Sequence, residues 1–89
     1  MESIPQKKSP VLVVDDDEGL LLSIKATLVS SGLPEPALVS DSQRVMDLVR
    51  EHDFQLILLD LMMPQLTGME VLQTIKSETP DIDCVIVSA

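Results

Sequence analysis

The stretch VLVVDDD at residues 11–17 places four consecutive apolar residues directly before three aspartates. Three further short apolar runs follow along the chain, at residues 37–39, 56–59 and 84–87. None of the four runs alternates polar with apolar residues, which is the pattern of strands buried on both faces of a sheet. The segments between them, of about 16–24 residues, are long enough for crossover helices. Because such crossovers are right-handed, the sequence predicts an α/β fold with a doubly wound parallel sheet.

The segments between the apolar runs carry helix signals of their own. The first has acidic residues at its start, apolar residues at helical spacing, and Gly32 followed by Pro34 at its end, which predicts a helix near residues 17–31. In the second, Ser40 and Gln43 have the spacing of a capping box, and the helix should end near His52. In the third, Thr67 and Glu70 have the same spacing. Each crossover is therefore predicted to be helical.

Acidic residues follow two of the predicted strands: Asp15 and Asp16 follow the first, and Asp60 follows the third. Ligands of parallel sheets bind at the carboxyl ends of the strands, so these carboxylates should converge if the two strands are neighbours. Two carboxylates about 4 Å apart repel by roughly 4 kcal/mol at an effective dielectric constant of 20, which favours a bound cation. Oxygen-only donors indicate Mg²⁺. The alternative role, helix capping, fits Asp17 and Asp41 better than Asp60.

Length and composition restrict the possible functions. A chain of 89 residues holds one small domain, here predicted at 11–89 after a mobile leader at 1–10. Fifteen acidic against six basic residues give a net charge of −9, which argues against direct nucleic-acid contact. Cys84 is the only cysteine, and the sequence has neither a signal peptide nor a membrane-spanning stretch. These features predict a reduced, cytoplasmic protein.

Three segments together resemble the receiver domain of bacterial response regulators, the phosphoacceptor half of two-component signalling. They are VLVVDDD at 11–17, LILLDLMMPQLTG at 56–68 and VIVSA at 85–89. The resemblance runs from Val11 to Ala89 and implies the flavodoxin-like strand order 2-1-3-4. The fifth strand and its flanking helices, including the strand-end lysine of the family, have no counterpart here, so the domain is expected to be incomplete at its C-terminus.

The resemblance also implies a role for each site residue. Asp60 matches the aspartate that takes a phosphoryl group from a histidine kinase or a small donor. Asp15 and Asp16 match the pair that holds Mg²⁺, with Asp60 and the backbone carbonyl of Met62 as further ligands. Ser88 matches the hydroxyl that responds to the phosphoryl group. The domain would not be a classical enzyme, although it would promote its own aspartyl phosphorylation and dephosphorylation.

The implied partners are a sensor histidine kinase and an output domain in the same parent chain. The segments GMEVLQTIK and PDIDCVIVSA resemble regulators with an ATPase and a DNA-binding output domain, which indicates transcription regulation. The fourth strand would form an apolar sheet edge at Val85, Ile86 and Val87, which invites pairing with another chain. A homodimer, an exchange of elements or an unstable monomer is therefore expected.

Two other functions remain open at this point. A receiver-like module that binds proteins without being phosphorylated would be expected to lack one of the acids. A Mg²⁺-dependent phosphohydrolase of the dehalogenase type also uses an aspartate nucleophile at a strand end. Those enzymes resemble D-x-D-x-T, whereas Asp60 is followed by Leu61 and Met62. The presence of Asp15, Asp16, Asp60 and Ser88 favours the phosphoryl-accepting switch over the protein-binding module.

Overall fold

The described part of the chain forms a five-stranded sheet with helices on both faces. The computed structural model describes residues 1–60 and 68–87. The strands are β1 (Glu2–Ser3), β2 (Val11–Val14), β3 (Ala37–Val39), β4 (Leu56–Leu59) and β5 (Asp83–Ile86). The helices are α1 (Glu18–Ser30), α2 (Val45–Glu51) and α3 (Gly68–Glu78), with a short 3-10 turn at Ser42–Arg44 before α2.

The strand order is β1-β3-β2-β4-β5. Strands β3, β2, β4 and β5 are parallel, and they are the four apolar runs of the sequence in the predicted order 2-1-3-4. The doubly wound parallel fold is thereby confirmed. Val14 is level with Val39 on one side and with Leu59 on the other. The carboxyl ends of the three central strands therefore lie at one level.

The core lies mainly between the sheet and helices α2 and α3. A smaller cluster on the opposite face joins the sheet to α1. The burial of these apolar side chains is the main stabilising contribution to the fold. The larger cluster includes Leu12, Val14, Ile57 and Leu59 from the strands and Val45, Leu48, Val71 and Ile75 from the helices; the smaller one is built on Val13, Leu21 and Leu38.

Strand β5 differs from the prediction of a strand buried on both faces. It starts one residue earlier than the apolar run, and Val85 is 47% exposed, Ile86 39% and Val87 41%. The physical reason is its position: β5 contacts β4 on one side only and forms an edge of the described sheet. The predicted apolar sheet edge is thus observed.

Helix α1 begins and ends with the predicted signals. The Asp17 carboxylate accepts a hydrogen bond from the Leu20 N–H at 3.1 Å, which caps the helix. At the other end the Gly32 N–H donates to the Val29 carbonyl, and the Leu33 N–H donates to the Leu28 carbonyl, both at 3.0 Å. This pair of bonds is a Schellman motif, in which the residue after the cap has positive φ. Gly32 has φ of 84°.

Gly32→Ala is expected to destabilise the protein by about 1 kcal/mol, because a β-carbon is disfavoured at positive φ. No heavy atom lies within 4 Å of the place a β-carbon would take, so crowding should not add to the cost. Urea denaturation followed by circular dichroism measures the difference. Gly19→Ala, in α1 at negative φ, is the control: its β-carbon would lie 3.3 Å from Asp17 Oδ1, a side-chain atom that can shift slightly, so the variant should not destabilise by a comparable amount. Equal stability of Gly32→Ala and the wild type would contradict this prediction.

The start of the second helical segment corrects one prediction. The predicted capping role of Asp41 is confirmed, since its carboxylate accepts from the Gln43 N–H at 2.9 Å. The predicted Ser40–Gln43 capping box is wrong because Ser40 contacts the first residue of the chain instead: its N–H donates to the Met1 carbonyl at 2.8 Å. The α2 helix ends at Glu51, close to the predicted His52. Thr67, of the other predicted capping box, lies outside the described residues.

The expected leader contains a strand that the sequence did not predict. Glu2–Ser3 pairs antiparallel with β3 and extends the sheet by one strand. The Arg44 guanidinium contacts the Glu2 carboxylate at 2.9 Å, and the Met1 ammonium lies 3.1 Å from the Glu18 carboxylate. A strand of two residues is too short to show a periodic pattern, so it is identified only by these long-range contacts.

None of the helices within 1–60 and 68–87 is both long and apolar enough to cross a lipid bilayer.

Candidate metal centre

The carboxyl ends of β2 and β4 bring distant acidic residues together. Val14 and Leu59 are paired in register, so Asp15 and Asp60 leave the sheet side by side. The Asp60 N–H donates to the Val14 carbonyl at 3.0 Å, and the Asp15 N–H donates to the Val39 carbonyl at 3.2 Å. Both backbones are therefore held by the sheet itself. The convergence predicted from the sequence is observed.

Asp15, Asp16 and Asp60 form a cluster of three carboxylates. Each offers an oxygen, and these three oxygens all lie within 4.8 Å of one another. Asp15 is 5% exposed, whereas Asp16 is open to solvent. The donors are all hard carboxylate oxygens, which suits a hard divalent cation that keeps some of its waters. The residues present therefore fit a Mg²⁺ site.

The environment of Asp15 opposes its ionised form. Burial raises the pKa of this carboxyl above its ordinary value, and repulsion from Asp60 and Asp16 raises the pKa further. A hydrogen bond acts in the other direction: the Asp17 N–H donates to Asp15 Oδ1 at 2.9 Å and lowers the pKa. A bound divalent cation would relieve the repulsion among these charges.

Asp17 links the cluster to helix α1. Its main-chain N–H holds Asp15 Oδ1, while its own carboxylate caps the helix at Leu20. The three consecutive aspartates thus divide into two that face the cluster and one that fixes the start of α1. The capping role was predicted, but the contact to Asp15 was not, because a main-chain donor leaves no signal in residue type.

The sequence that adopts this fold matches a known family. The family model described as response regulator receiver domain matches residues 11–89. The chain belongs to the response regulator receiver domain family. The resemblance to this family that the sequence indicated is thereby confirmed.

Similar proteins carry this receiver domain as one part of a longer chain. Response regulator MprA of Mycolicibacterium vanbaalenii is 32% identical over 79 residues, which are 89% of this chain and 34% of MprA. Transcriptional regulatory protein ZraR of Klebsiella oxytoca is 35% identical over 79 residues, which are 89% of this chain and 18% of ZraR. The chain thus spans about a third or less of these two relatives.

A solved structure with the same fold is response regulator protein TrrA from Thermotoga maritima in complex with Mg²⁺-BeF. It matches with a TM-score of 0.84 and 25% identity, over 93% of this chain and 70% of TrrA. TrrA is also known in complex with histidine kinase ThkA, where the match has a TM-score of 0.83 over the same shares of the two chains.

Two residues that the sequence assigned to the site lie outside the described part of the chain. Met62 was predicted to offer its backbone carbonyl to the metal, and Ser88 was predicted to respond to the phosphoryl group. Their assignments stay predictions. The structure does place the two strands that lead toward them, β4 and β5, as parallel neighbours.

Proposed function

We propose that Asp60 is the phosphoacceptor of this receiver domain and that Asp15 and Asp16 hold Mg²⁺ beside it. The observation that carries this proposal is the cluster of three carboxylate oxygens within 4.8 Å at the carboxyl edge of the sheet. Clustered carboxylates repel one another, and a protein retains such a cluster at a stability cost that a bound cation offsets.

The proposed chemistry is the attack of a carboxylate oxygen on phosphorus. A carboxylate oxygen of Asp60 attacks the phosphorus of the donor, and the bond from phosphorus to the donor's nitrogen or oxygen breaks with its electron pair leaving on the donor. A carboxylate nucleophile needs no general base. When bound, Mg²⁺ would offset the charge of the carboxylates and the phosphoryl group and orient the latter for in-line transfer. The product is an aspartyl phosphate.

Two further roles rest on the family resemblance. The backbone carbonyl of Met62 completes the metal ligands, and the Ser88 hydroxyl donates to a phosphoryl oxygen once the aspartate is modified. A new dianion at Asp60 requires hydrogen-bond donors, and a hydroxyl at the end of the neighbouring strand would supply one. Movement of Ser88 would then couple the modification to the shape of the surface.

The proposed donor is a sensor histidine kinase, and the complex of TrrA with histidine kinase ThkA supports this choice. An output domain in the same parent chain fits the lengths of MprA and ZraR, of which this chain spans 34% and 18%. The name of ZraR supports a role in transcription regulation. Residues 11–89 form the proposed receiver unit, acting in the cytoplasm without itself contacting nucleic acid.

Incubation with Mg²⁺ and acetyl phosphate, followed by intact-mass measurement, tests the proposal. The wild-type protein should gain one phosphoryl group, and chelation of the metal by EDTA before the donor is added should prevent the gain. The requirement for a divalent cation follows from the charge of the cluster, since an anionic donor must approach three carboxylates. An adduct that forms equally well in EDTA would contradict the proposed metal centre.

A further inference from the structure

We propose that strand β1 positions the metal ligand Asp15, acting through the carboxyl end of β3. The two strands pair with Glu2 level with Val39. One residue further on, the Ser40 N–H donates to the Met1 carbonyl at 2.8 Å. On the other side of β3, the Val39 carbonyl accepts from the Asp15 N–H at 3.2 Å. The end of β3 is therefore held between β1 and Asp15, and its effect on metal binding rests on the function proposed above.

The backbone of β3 faces β1 and β2 alternately. In an antiparallel pair, hydrogen-bonded residues recur at every second position, so the bond between residues 40 and 1 implies a further pair between Leu38 and Ser3. Val39 lies between them and turns its backbone groups toward β2, in agreement with its bond to Asp15. Release of β1 would leave the backbone groups at 38 and 40 without these partners. The strand end that holds Asp15 would then open more often.

A bidentate ion pair secures β1. The Arg44 Nε–H donates to Glu2 Oε1 at 2.9 Å, and an Arg44 Nη2–H donates to Glu2 Oε2 at 3.3 Å. Two such bonds fix the orientation of the partners as well as their distance. Arg44 belongs to the 3-10 turn that follows β3, so the pair ties β1 to the connection just beyond the strand end. Residues 4–8, which follow β1, border cavities of about 650 and 390 Å³ and offer it little packing.

The attachment of β1 affects the metal centre because Asp15 is the buried member of the cluster. Its side chain is 5% exposed, and the Asp17 N–H orients its carboxylate at 2.9 Å. Mg²⁺ binds conformers in which the carboxylate oxygens converge, and the apparent Kd rises as the fraction of such conformers falls. Glu2 and Arg44 are thus positioning residues: they act on Asp15 through β3.

Hydrogen exchange of the metal-free protein, followed amide by amide with NMR, tests the positioning. Glu2→Gln should speed exchange of the Asp15 amide about two- to fivefold, which is the factor that an exposed ion pair contributes to a local opening. The Asp60 amide is the internal reference, because it donates to Val14 on the side of β2 away from β1. It should exchange at the wild-type rate. An unchanged Asp15 amide, or an equal acceleration at Asp60, would overturn the proposal.

Glu78→Gln is the matched control for Glu2→Gln. The Glu78 carboxylate accepts from Arg50 Nε at 3.0 Å and from Arg50 Nη2 at 2.8 Å. This variant loses the same kind of bidentate pair, but between α2 and α3 rather than at β1. The Asp15 amide should keep its wild-type exchange rate. An acceleration equal to that of Glu2→Gln would show that Asp15 responds to any loss of stability, and the role of β1 would be refuted.

Ser3→Pro should release β1 more completely, because proline removes the N–H that faces Leu38 in the paired strands. In isothermal titration calorimetry its Kd for Mg²⁺ should be at least about threefold higher than that of the wild type. Gln6→Pro, in the same leader but outside β1, should bind Mg²⁺ like the wild type. Equal Kd values for Ser3→Pro and Gln6→Pro would overturn the proposal. A wild type that binds no Mg²⁺ would contradict the proposed function instead, and the exchange measurement, made without metal, would still decide whether β1 positions Asp15.

Discussion

Asp60→Asn is expected to abolish incorporation of a phosphoryl group from acetyl phosphate in the presence of Mg²⁺. Asparagine has nearly the same shape as aspartate but carries a neutral amide, which is a poor nucleophile toward phosphorus. Asp60 also stands alone among the three acids in following β4, so neither Asp15 nor Asp16 takes its place in the sheet. Intact mass should show one adduct in the wild type and none in the variant.

Asp53→Asn is the matched control. Asp53 is an exposed aspartate whose carboxylate contacts Lys8 at 3.1 Å, and it precedes β4, whereas Asp60 follows that strand. Its replacement removes the same charge and should leave the adduct intact. An adduct that persists in Asp60→Asn would contradict the assigned phosphoacceptor.

The same measurement separates the two alternative functions from the proposed one. A receiver-like module that only binds proteins would give no adduct in the wild type. A phosphohydrolase would release inorganic phosphate from many small phosphate esters over repeated turnovers. A single stable adduct confined to Asp60 is expected from the phosphoryl-accepting switch alone.

The sheet was predictable because its strands are short and almost wholly apolar. Residues 11–14, 37–39 and 56–59 were located to the residue, since a strand buried on both faces leaves no room for a polar interruption. The acidic cluster was predictable from the arrangement of these strands. Once β2 and β4 are parallel neighbours, Asp15 and Asp60 must leave the sheet at one level.

Features that depend on single long-range contacts were not predictable. Strand β1 is held by pairing with β3 and by the contact of Glu2 with Arg44, 42 residues apart. In the same segment, the Met1 carbonyl accepts a hydrogen bond from the N–H of Ser40, which was expected to cap the helix. Local sequence offers two capping residues there, Ser40 and Asp41; in the structure Asp41 caps the segment and Ser40 contacts Met1.

The exposure of β5 shows a second limit of pattern reading. Its apolar run resembles those of the central strands. An apolar pattern shows that the residues are suited to a buried position, but it does not show whether other residues cover them. Val85 and Leu58 are paired in register, yet Leu58 is partly buried against the α1 cluster while Val85 is 47% exposed. Position in the sheet decides burial.

Asp15→Asn is expected to remove the stabilisation of the protein by Mg²⁺. In the wild type, Mg²⁺ at about 100 times its dissociation constant should add about 2.7 kcal/mol to the free energy of unfolding. For a domain of this size, that corresponds to an increase in Tm of roughly 10–20 °C. The variant lacks one of the three carboxylates, and its Tm should change by less than about a quarter of that amount. Thermal unfolding followed by circular dichroism, with and without Mg²⁺, measures both shifts.

Without Mg²⁺, Asp15→Asn should be more stable than the wild type. The variant removes a carboxylate that is 5% exposed and lies within 4.8 Å of two others, while its amide oxygen still accepts from the Asp17 N–H. Asp41→Asn is the control, because asparagine caps a helix as well as aspartate does and the same charge is lost outside the cluster. It should keep the full response to Mg²⁺. A wild type with no response to Mg²⁺, or an Asp15→Asn variant that is less stable without the metal, would show that repulsion among these carboxylates does not govern the site.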